Sequence, residues 1–268
     1  GFDITFQRQL AQQSWSLYAV GILIISLRLT LRPLAMATWL ISSPLQGFYT
    51  ALIICLNTIA SGGGSNLFPP DQFQAFTPQD IQERMKGSKI VLVSEQAMLN
   101  VIWTLKTCML YMFSRLTMGT HQRRAVKYLA VYVGLGYFAV QLAFFTACRP
   151  FNGYWAVPPP NPQCTTLQHY AIIQACFNLS SDVAMLLVPL PMVINLKLPL
   201  KQKIILSIVF SMGIFVIIAA VLTKVYNLSD VYDTSYMLWY TREASVAVYV
   251  ANLPMIWPLL REYVPFLR

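Results

Sequence analysis

The sequence predicts an all-α bundle of seven membrane-spanning helices. Apolar residues make up 56% of the 268-residue chain and charged residues only 11%, whereas typical soluble domains carry about 25% charged residues. The mean hydropathy of +0.55 agrees with this composition. Apolar runs of about 20 residues, enough to cross a bilayer, recur between short polar segments. The chain is therefore expected to form one membrane domain over residues 1–268, with no internal repeat and no separate soluble domain.

Each predicted span ends where prolines, glycines or charged residues interrupt an apolar run. The spans cover residues 15–29, 34–60, 90–116, 128–147, 167–196, 204–226 and 235–260. In the loop between the second and third spans, Thr77 followed by Asp80 and Glu83 is typical of a helix start. A short surface helix over residues 78–86 is therefore expected, separate from the third span.

The third span is the most polar of the seven. It contains Glu95, Gln96, Asn100, Lys106 and Cys108. Polar side chains within a span normally face the interior of the bundle rather than lipid, so this helix is expected to line the interior. The fourth span has Gln141 as its single notable polar side chain and is expected at the periphery.

Basic residues are distributed unequally between the two ends of the predicted bundle. One end holds Arg28, Arg32, Arg115, Arg123, Arg124, Lys127, Lys197, Lys201, Lys203, Arg261 and Arg268, and the other holds Arg8, Arg84, Lys86, Lys89, Arg149 and Lys224. Cytoplasmic loops carry an excess of Lys and Arg. This rule predicts an outside or lumenal N-terminus and a cytoplasmic C-terminus. It also explains the net charge of +9 without a nucleic-acid partner.

Two cysteines flank the proline-rich loop between the fourth and fifth spans. Cys148 and Cys164 would lie on the outer side, where the compartment is oxidising and a disulfide can persist. In the chain-entropy model a loop of this length contributes roughly 3 kcal/mol. The remaining cysteines, Cys55, Cys108 and Cys176, lie within spans and are interpreted as buried apolar fillers.

Ionisable residues within the spans form two predicted layers. The helical rise places Glu95 about 8 Å and Glu243 about 12 Å below the outer surface, within reach of Arg242 and Lys224. Lys106, three turns beyond Glu95, and Asp182 lie deeper. We expect Lys106 and Asp182 to form a structural ion pair, since a lone buried charge is unfavourable; a switch or transport role is the alternative.

The outer layer is the predicted functional site. Its carboxylates could bind a ligand or, in an enzyme, serve as general acid and base; the structural alternative is pairing of Glu243 with a nearby base such as Lys224. Trp239 lies one turn before Glu243 on the same helical face. The expected ligand-binding residues are Glu243, Trp239, Glu95, Arg242, Lys224 and Trp103, and the catalytic pair, if the protein is an enzyme, is Glu243 and Glu95.

Several classes of site are not expected from these residues. The sequence contains no metal-ligand cluster, phosphate-binding loop or Ser/His/Asp set, so no metal and no cofactor are predicted. The seventh span contains no lysine, so it cannot form a retinal Schiff base.

A set of scattered residues resembles the fungal rhodopsin-domain family of GPCR-like, seven-span integral membrane proteins. In chain order these are Leu105-Lys106-Thr107 with Tyr111 and Arg115, Cys148-Arg149-Pro150 with Trp155 and Cys164, Asp182 with Pro189 and Pro191, Lys203 with Gly213, and Asp233-Thr234 with Trp239, Glu243 and Pro254. The resemblance covers nearly the whole chain and implies a receptor-like or sensor-like protein.

The chain departs from the family pattern at three places. Ala37-Thr38-Trp39-Leu40 stands where an acidic pair is usual, Ser65 and Asn66 where a histidine is usual, and Lys224 where an arginine is usual. These departures affect polar positions of the predicted cavity, so the family's ligand is not transferred.

Three functions are compatible with the sequence. The first is a receptor or sensor that binds a small, mostly apolar ligand in the outer half of the bundle and signals to a cytoplasmic partner. The second is an integral membrane enzyme of lipid or terpenoid biosynthesis, such as a cyclase of secondary metabolism. A transporter is the least favoured of the three, because the two halves of the chain show no pair of interrupted helices at corresponding positions. In each case the protein would lie among membrane lipids of the plasma membrane or endoplasmic reticulum.

Overall fold

The computed structural model describes residues 3–31, 36–62, 64–68, 73, 75–118, 122–188, 200–229 and 236–263. Some residues that carry the family resemblance lie outside this description. These are Pro189, Pro191, Asp233 and Thr234, together with the side chains of residues 37–40, Lys203 and Pro254.

Seven long helices, numbered α1 to α7, account for most of the described residues, as the apolar segmentation predicts. They are Ile4–Leu31, Met36–Ser61, Pro78–Leu116, Arg123–Ala147, Gln168–Leu187, Leu200–Ser229 and Tyr236–Tyr263. Between α4 and α5 lie a short 3-10 helix, Phe151–Trp155, and a single helical turn, Gln163–Thr166.

The helices form a ring in which consecutive helices are neighbours. Each helix packs against the next one along the chain where both are described, and α7 closes the ring against α1. Helix α3 contacts α2 and α4 and also reaches α7 across the interior. The polar third span therefore lines the interior, while α4 packs between α3 and α5 at the periphery.

Helix α3 begins earlier than the predicted third span. A capping box starts it, in which Thr77 and Asp80 each satisfy the other's backbone N–H. The helix then continues without a break through Gly87, so the separate surface helix expected over residues 78–86 is wrong. A side chain at position 87 would collide with the Gly64 carbonyl oxygen, so this glycine permits a close approach of the preceding loop.

Large apolar side chains lie exposed on the outer faces of the helices, whereas several polar and charged side chains are buried within an apolar core. Leu23, Leu135, Phe138 and Leu142 are all more than 60% exposed, although they lie in the middle of long helices. Within the described residues, three segments have the length and hydropathy to cross a membrane: Ile4–Leu29, Arg123–Ala147 and Gln163–Leu187. This arrangement is that of a multi-pass membrane protein.

The predicted disulfide between Cys148 and Cys164 is present and closes one end of the bundle, which we call the cap end. Its sulfur atoms are buried against Gly153, where a β-carbon would lie 2.8 Å from Cys148 Sγ and 3.2 Å from Cys164 Sγ. Tyr154, from the 3-10 helix, donates to the Phe144 carbonyl of α4. These contacts hold the proline-rich loop as a compact cover beside α4 and α5.

Candidate functional site

Lys106 of α3 and Asp182 of α5 form a buried ion pair. The Lys106 side chain is 3% exposed and that of Asp182 is 14% exposed. The ammonium also donates to the main-chain carbonyl of Asn178, one turn before Asp182, at 3.2 Å. The two charges that the sequence places at similar depth are thus in contact, and they join α3 to α5.

Glu243 of α7 lies in the interior, closer to the cap end than the ion pair. Its side chain is 2% exposed. Its Oε1 atom accepts a hydrogen bond of 3.4 Å from Asn178 Nδ2. Its Oε2 atom has no hydrogen-bond partner among the described residues. One oxygen of this buried carboxylate therefore accepts no hydrogen bond from the described residues.

Asn178 connects Glu243 to the Lys106–Asp182 pair. Its side chain donates to Glu243, while its main-chain oxygen accepts from Lys106. The Lys106 ammonium is close enough to Glu243 for the two charges to interact. Asn178 is not among the residues predicted from the sequence; a polar residue within an apolar span, one turn from Asp182, was the signal.

Glu95 of α3 occupies the cap side of the same interior. The Tyr240 hydroxyl lies beside the Glu95 carboxylate, and Tyr170 and Tyr236 lie close enough to interact with its charge. Tyr170 and Tyr240 are each 3% exposed. Glu95 is therefore set among tyrosines from α5 and α7.

Lys224 of α6 faces both carboxylates. It is 9% exposed, and its charge interacts with Glu95 and with Glu243. The Thr223 hydroxyl lies beside Glu243 as well. The described interior thus brings together two carboxylates and one ammonium on the cap side, above the Lys106–Asp182 pair.

Arg242 and Trp239 do not join this cluster of charges in the way that the sequence predicts. The Arg242 guanidinium donates to Gln13 Oε1 of α1 at 3.2 Å, and its Cζ lies 4.6 Å from the centre of the Trp239 ring. Trp239 stacks on Tyr226 of α6, with ring centres 6.3 Å apart and planes 9° apart. Adjacent residues on a helix point in different directions, so Arg242 faces α1 while Glu243 faces the interior.

Trp103 also lies apart from the carboxylates. Its indole Nε1 donates to the Val133 carbonyl of α4 at 3.1 Å, and its ring is 5% exposed. It therefore packs between α3 and α4. The structure brings Trp103 near Lys106, whose Nζ lies 5.9 Å from the ring centre, but not next to Glu243.

Arg28 is a second residue whose position was not predicted. It was expected at the cytoplasmic end of the first span, yet it is 3% exposed. Its Nη1 atom donates to Asn252 Oδ1 of α7 at 2.8 Å and to Cys108 Sγ of α3 at 3.1 Å. The signal was the apolar residues that continue beyond Arg28, which keep it within α1.

Metal chemistry has no support in the described part of the chain. No group of three or more His, Cys, Asp or Glu side chains lies close enough there to hold a metal ion. The cluster can instead hold and transfer protons or bind a polar group of a ligand, because the buried Glu243 and the half-buried Glu95 lie beside a lysine and several hydroxyls.

Comparison with known proteins gives a family and a distant relative. A family model described as "Fungal rhodopsin domain" matches residues 26–262. The chain is 24% identical over 131 residues to "Fugralins biosynthesis cluster protein 2" of Gibberella zeae, a match that covers 46% of this chain and 33% of that protein. The chain thus matches about one third of the length of this curated relative. No solved structure matches.

Proposed function

The chain belongs to the fungal rhodopsin domain family, and on that premise we propose that it is a seven-span receptor or sensor for a small, mostly apolar ligand. The ligand binds in the half of the bundle nearer the cap end, and this end faces outside or the lumen. The observation that carries the proposal is Glu243, a buried carboxylate with one oxygen that no described residue satisfies.

The unsatisfied atoms near Glu243 share one chemical character. Within the described residues, Glu243 Oε2, Asn178 Oδ1 and Gln174 Oε1 are all buried acceptors without a donor. Gln174 lies one turn before Asn178 on α5, so the two side chains project from the same face. A buried acceptor without a donor costs about 1–3 kcal/mol. The ligand is therefore an apolar molecule that carries a hydroxyl or amine donor.

Binding at Glu243 would affect the rest of the bundle through Asn178. A ligand donor that replaces the 3.4 Å hydrogen bond from Asn178 Nδ2 frees that side chain. The Asn178 main chain accepts from Lys106, which holds Asp182. The proposed signal thus passes from α7 to α5 and α3, and from there towards a cytoplasmic partner.

A second function is favoured by the name of the relative from Gibberella zeae. That protein is named for a biosynthesis cluster, so an integral membrane enzyme of secondary metabolism, such as a terpenoid cyclase, is the alternative. In it, Glu243 and Glu95 would serve as general acid and base. Tyr240, which lies beside Glu95, would position that carboxylate.

One experiment tests both functions. The full chain is purified in lipid nanodiscs and incubated with an organic extract of fungal culture medium. Its melting temperature is recorded, and retained compounds are identified by mass spectrometry. We expect the parent to retain a compound and to melt at a higher temperature. Glu243→Gln, which keeps the shape and removes the charge, should lose both effects, whereas Glu83→Gln, at an exposed position, should keep them.

The mass of the recovered compound separates the two functions. A compound recovered unchanged after prolonged incubation supports the receptor, and a product of different mass supports the enzyme. Retention by Glu243→Gln equal to that of the parent would overturn both. If Glu243→Gln alone fails to fold, Glu243 is instead part of a structural pair with a base such as Lys224, whose charge interacts with it.

A further inference from the structure

A long groove lies between α3 and α4, apart from the buried charges. Its volume is about 630 Å³, which is within the usual range of about 300–1,000 Å³ for ligand pockets. On α4 it extends from Phe138 to Arg123, about 22 Å at the helical rise of 1.5 Å per residue. This length exceeds the hydrocarbon half-thickness of one leaflet, roughly 15 Å.

The wall of the groove is apolar although α3 supplies several hydroxyl residues to it. Thr107 Oγ1 donates to the Trp103 carbonyl at 2.9 Å, and Ser114 Oγ donates to the Tyr111 carbonyl at 2.8 Å. These hydroxyls are satisfied by their own helix. On the α4 side, Gly134 has no atom within 4 Å of the place where a β-carbon would stand. The groove therefore has room for an aliphatic chain beside Gly134.

The two ends of the groove differ in charge. Towards the middle of the bundle it ends at Asn100 and Tyr137, which are joined by a 3.0 Å hydrogen bond. At the end away from the cap it is lined by Arg123 and Lys127, both exposed. Among the described residues no carboxylate forms an ion pair with either. The N-terminus of α4, where no side chain caps the helix, adds a partial positive charge at the same place.

We propose that this groove binds one anionic phospholipid from the leaflet on the side away from the cap. Its acyl chain lies along α3 and α4 past Gly134, and its phosphate is held by Arg123 and Lys127. The basic residues at one end and the apolar wall along the remainder match the two parts of such a lipid. A zwitterionic lipid with the same chains would fill the groove but would gain less from the basic end.

Native mass spectrometry of the full chain in a neutral detergent tests the proposal. The probes are phosphatidylglycerol and phosphatidylcholine with identical acyl chains. We expect the parent to retain one phosphatidylglycerol in preference to phosphatidylcholine. Lys127→Gln should weaken phosphatidylglycerol binding about fivefold, or ~1 kcal/mol. Arg124→Gln removes the same charge from an exposed residue that does not line the groove and should have little effect.

A second pair of variants tests the path of the acyl chain. Gly134→Leu fills the groove and should weaken both lipids equally. Gly47→Leu, on α2, also enters open space and should weaken neither, and the melting temperature of each variant reports on its folding. The proposal is wrong if the parent does not distinguish the lipids, if Arg124→Gln and Lys127→Gln weaken binding equally, or if a folded Gly134→Leu binds both lipids as the parent does.

Discussion

The charge of Lys106 is stabilised by protein groups, because its side chain is 3% exposed and paired with Asp182. Removing one partner of such a pair leaves the other charge buried, which costs about 3–5 kcal/mol. We therefore predict that Lys106→Met strongly lowers the thermal stability of the protein in nanodiscs. The double variant Lys106→Met/Asp182→Leu should recover most of the loss, since a buried pair and an apolar pair of similar volume are often equally stable.

The recovery in the double variant distinguishes two roles of the pair. Stability that returns without ligand response would show that the pair also transmits the signal. If the double variant is as unstable as Lys106→Met alone, the pair is not a self-contained interaction, and the Lys106 hydrogen bond to Asn178 contributes most of its stabilisation.

At the level of single residues, the sequence predicts depth better than direction. Helical rise was enough to expect Lys106 near Asp182. It was not enough to separate Arg242 from Glu243, which are adjacent in the chain but face α1 and the interior, respectively. Arg28 was misplaced because a basic residue near the end of an apolar run usually reaches the surface, whereas α1 continues past it to Leu31.

The start of α3 depends on one local interaction, the capping box of Thr77 and Asp80. Hydrogen bonds from the Thr77 hydroxyl and backbone N–H hold the pKa of Asp80 below its ordinary value of 3.8. Because this pKa is lowered by folding, its stabilising contribution is present above the ordinary value. It is lost as the pH falls through the lower value of the folded state.

We predict that Thr77→Ala speeds amide hydrogen exchange in the first turn of α3 about fivefold at pH 7, in proportion to the usual loss of an N-cap. At pH 3 the difference from the parent should be smaller. Thr146→Ala is the control, because Thr146 is exposed and its hydroxyl bonds to the Leu142 carbonyl within α4. Equal exchange in the parent and Thr77→Ala at pH 7 would show that packing, not the cap, holds this turn.

At the level of helices, the start of α3 was predicted correctly, but its continuation through Gly87 was not. Thr77 and Asp80 mark the start of a helix in the sequence, and α3 begins there. The surface helix predicted over residues 78–86 stopped just before Gly87, and glycine often interrupts helices. In the structure it remains helical, since its missing side chain leaves room for the loop backbone at Gly64.

For the whole molecule, the apolar segmentation was sufficient to predict seven long helices, because each span must satisfy its own backbone hydrogen bonds in lipid. The cysteines at the two ends of one loop were sufficient to predict the disulfide. The neighbour relations across the bundle could not be predicted, because they depend on the rotation of each helix about its axis. The contact of α3 with α7, which sets Glu95 beside Tyr240, is an example.

The distribution of basic residues leads to the last prediction, which concerns orientation. The end of the bundle with Arg123 and Arg124 should face the cytoplasm, and the start of α3 should face outside or the lumen.

The background variant for the labelling experiment replaces Cys55, Cys108 and Cys176 with serine and keeps the disulfide. A single cysteine is then introduced as Arg124→Cys or Glu83→Cys, both at exposed positions. When only the plasma membrane is permeabilised, a membrane-impermeant maleimide should label position 124 whichever membrane holds the protein. In intact cells it should not label position 124. Position 83 should react in intact cells if the protein is in the plasma membrane, and only after full solubilisation if it is in the endoplasmic reticulum. The reverse labelling pattern at positions 124 and 83 would show that the bundle has the opposite orientation in the membrane. The cluster around Glu243 would then open towards the cytoplasm, and the lipid beside Arg123 and Lys127 would come from the outer or lumenal leaflet.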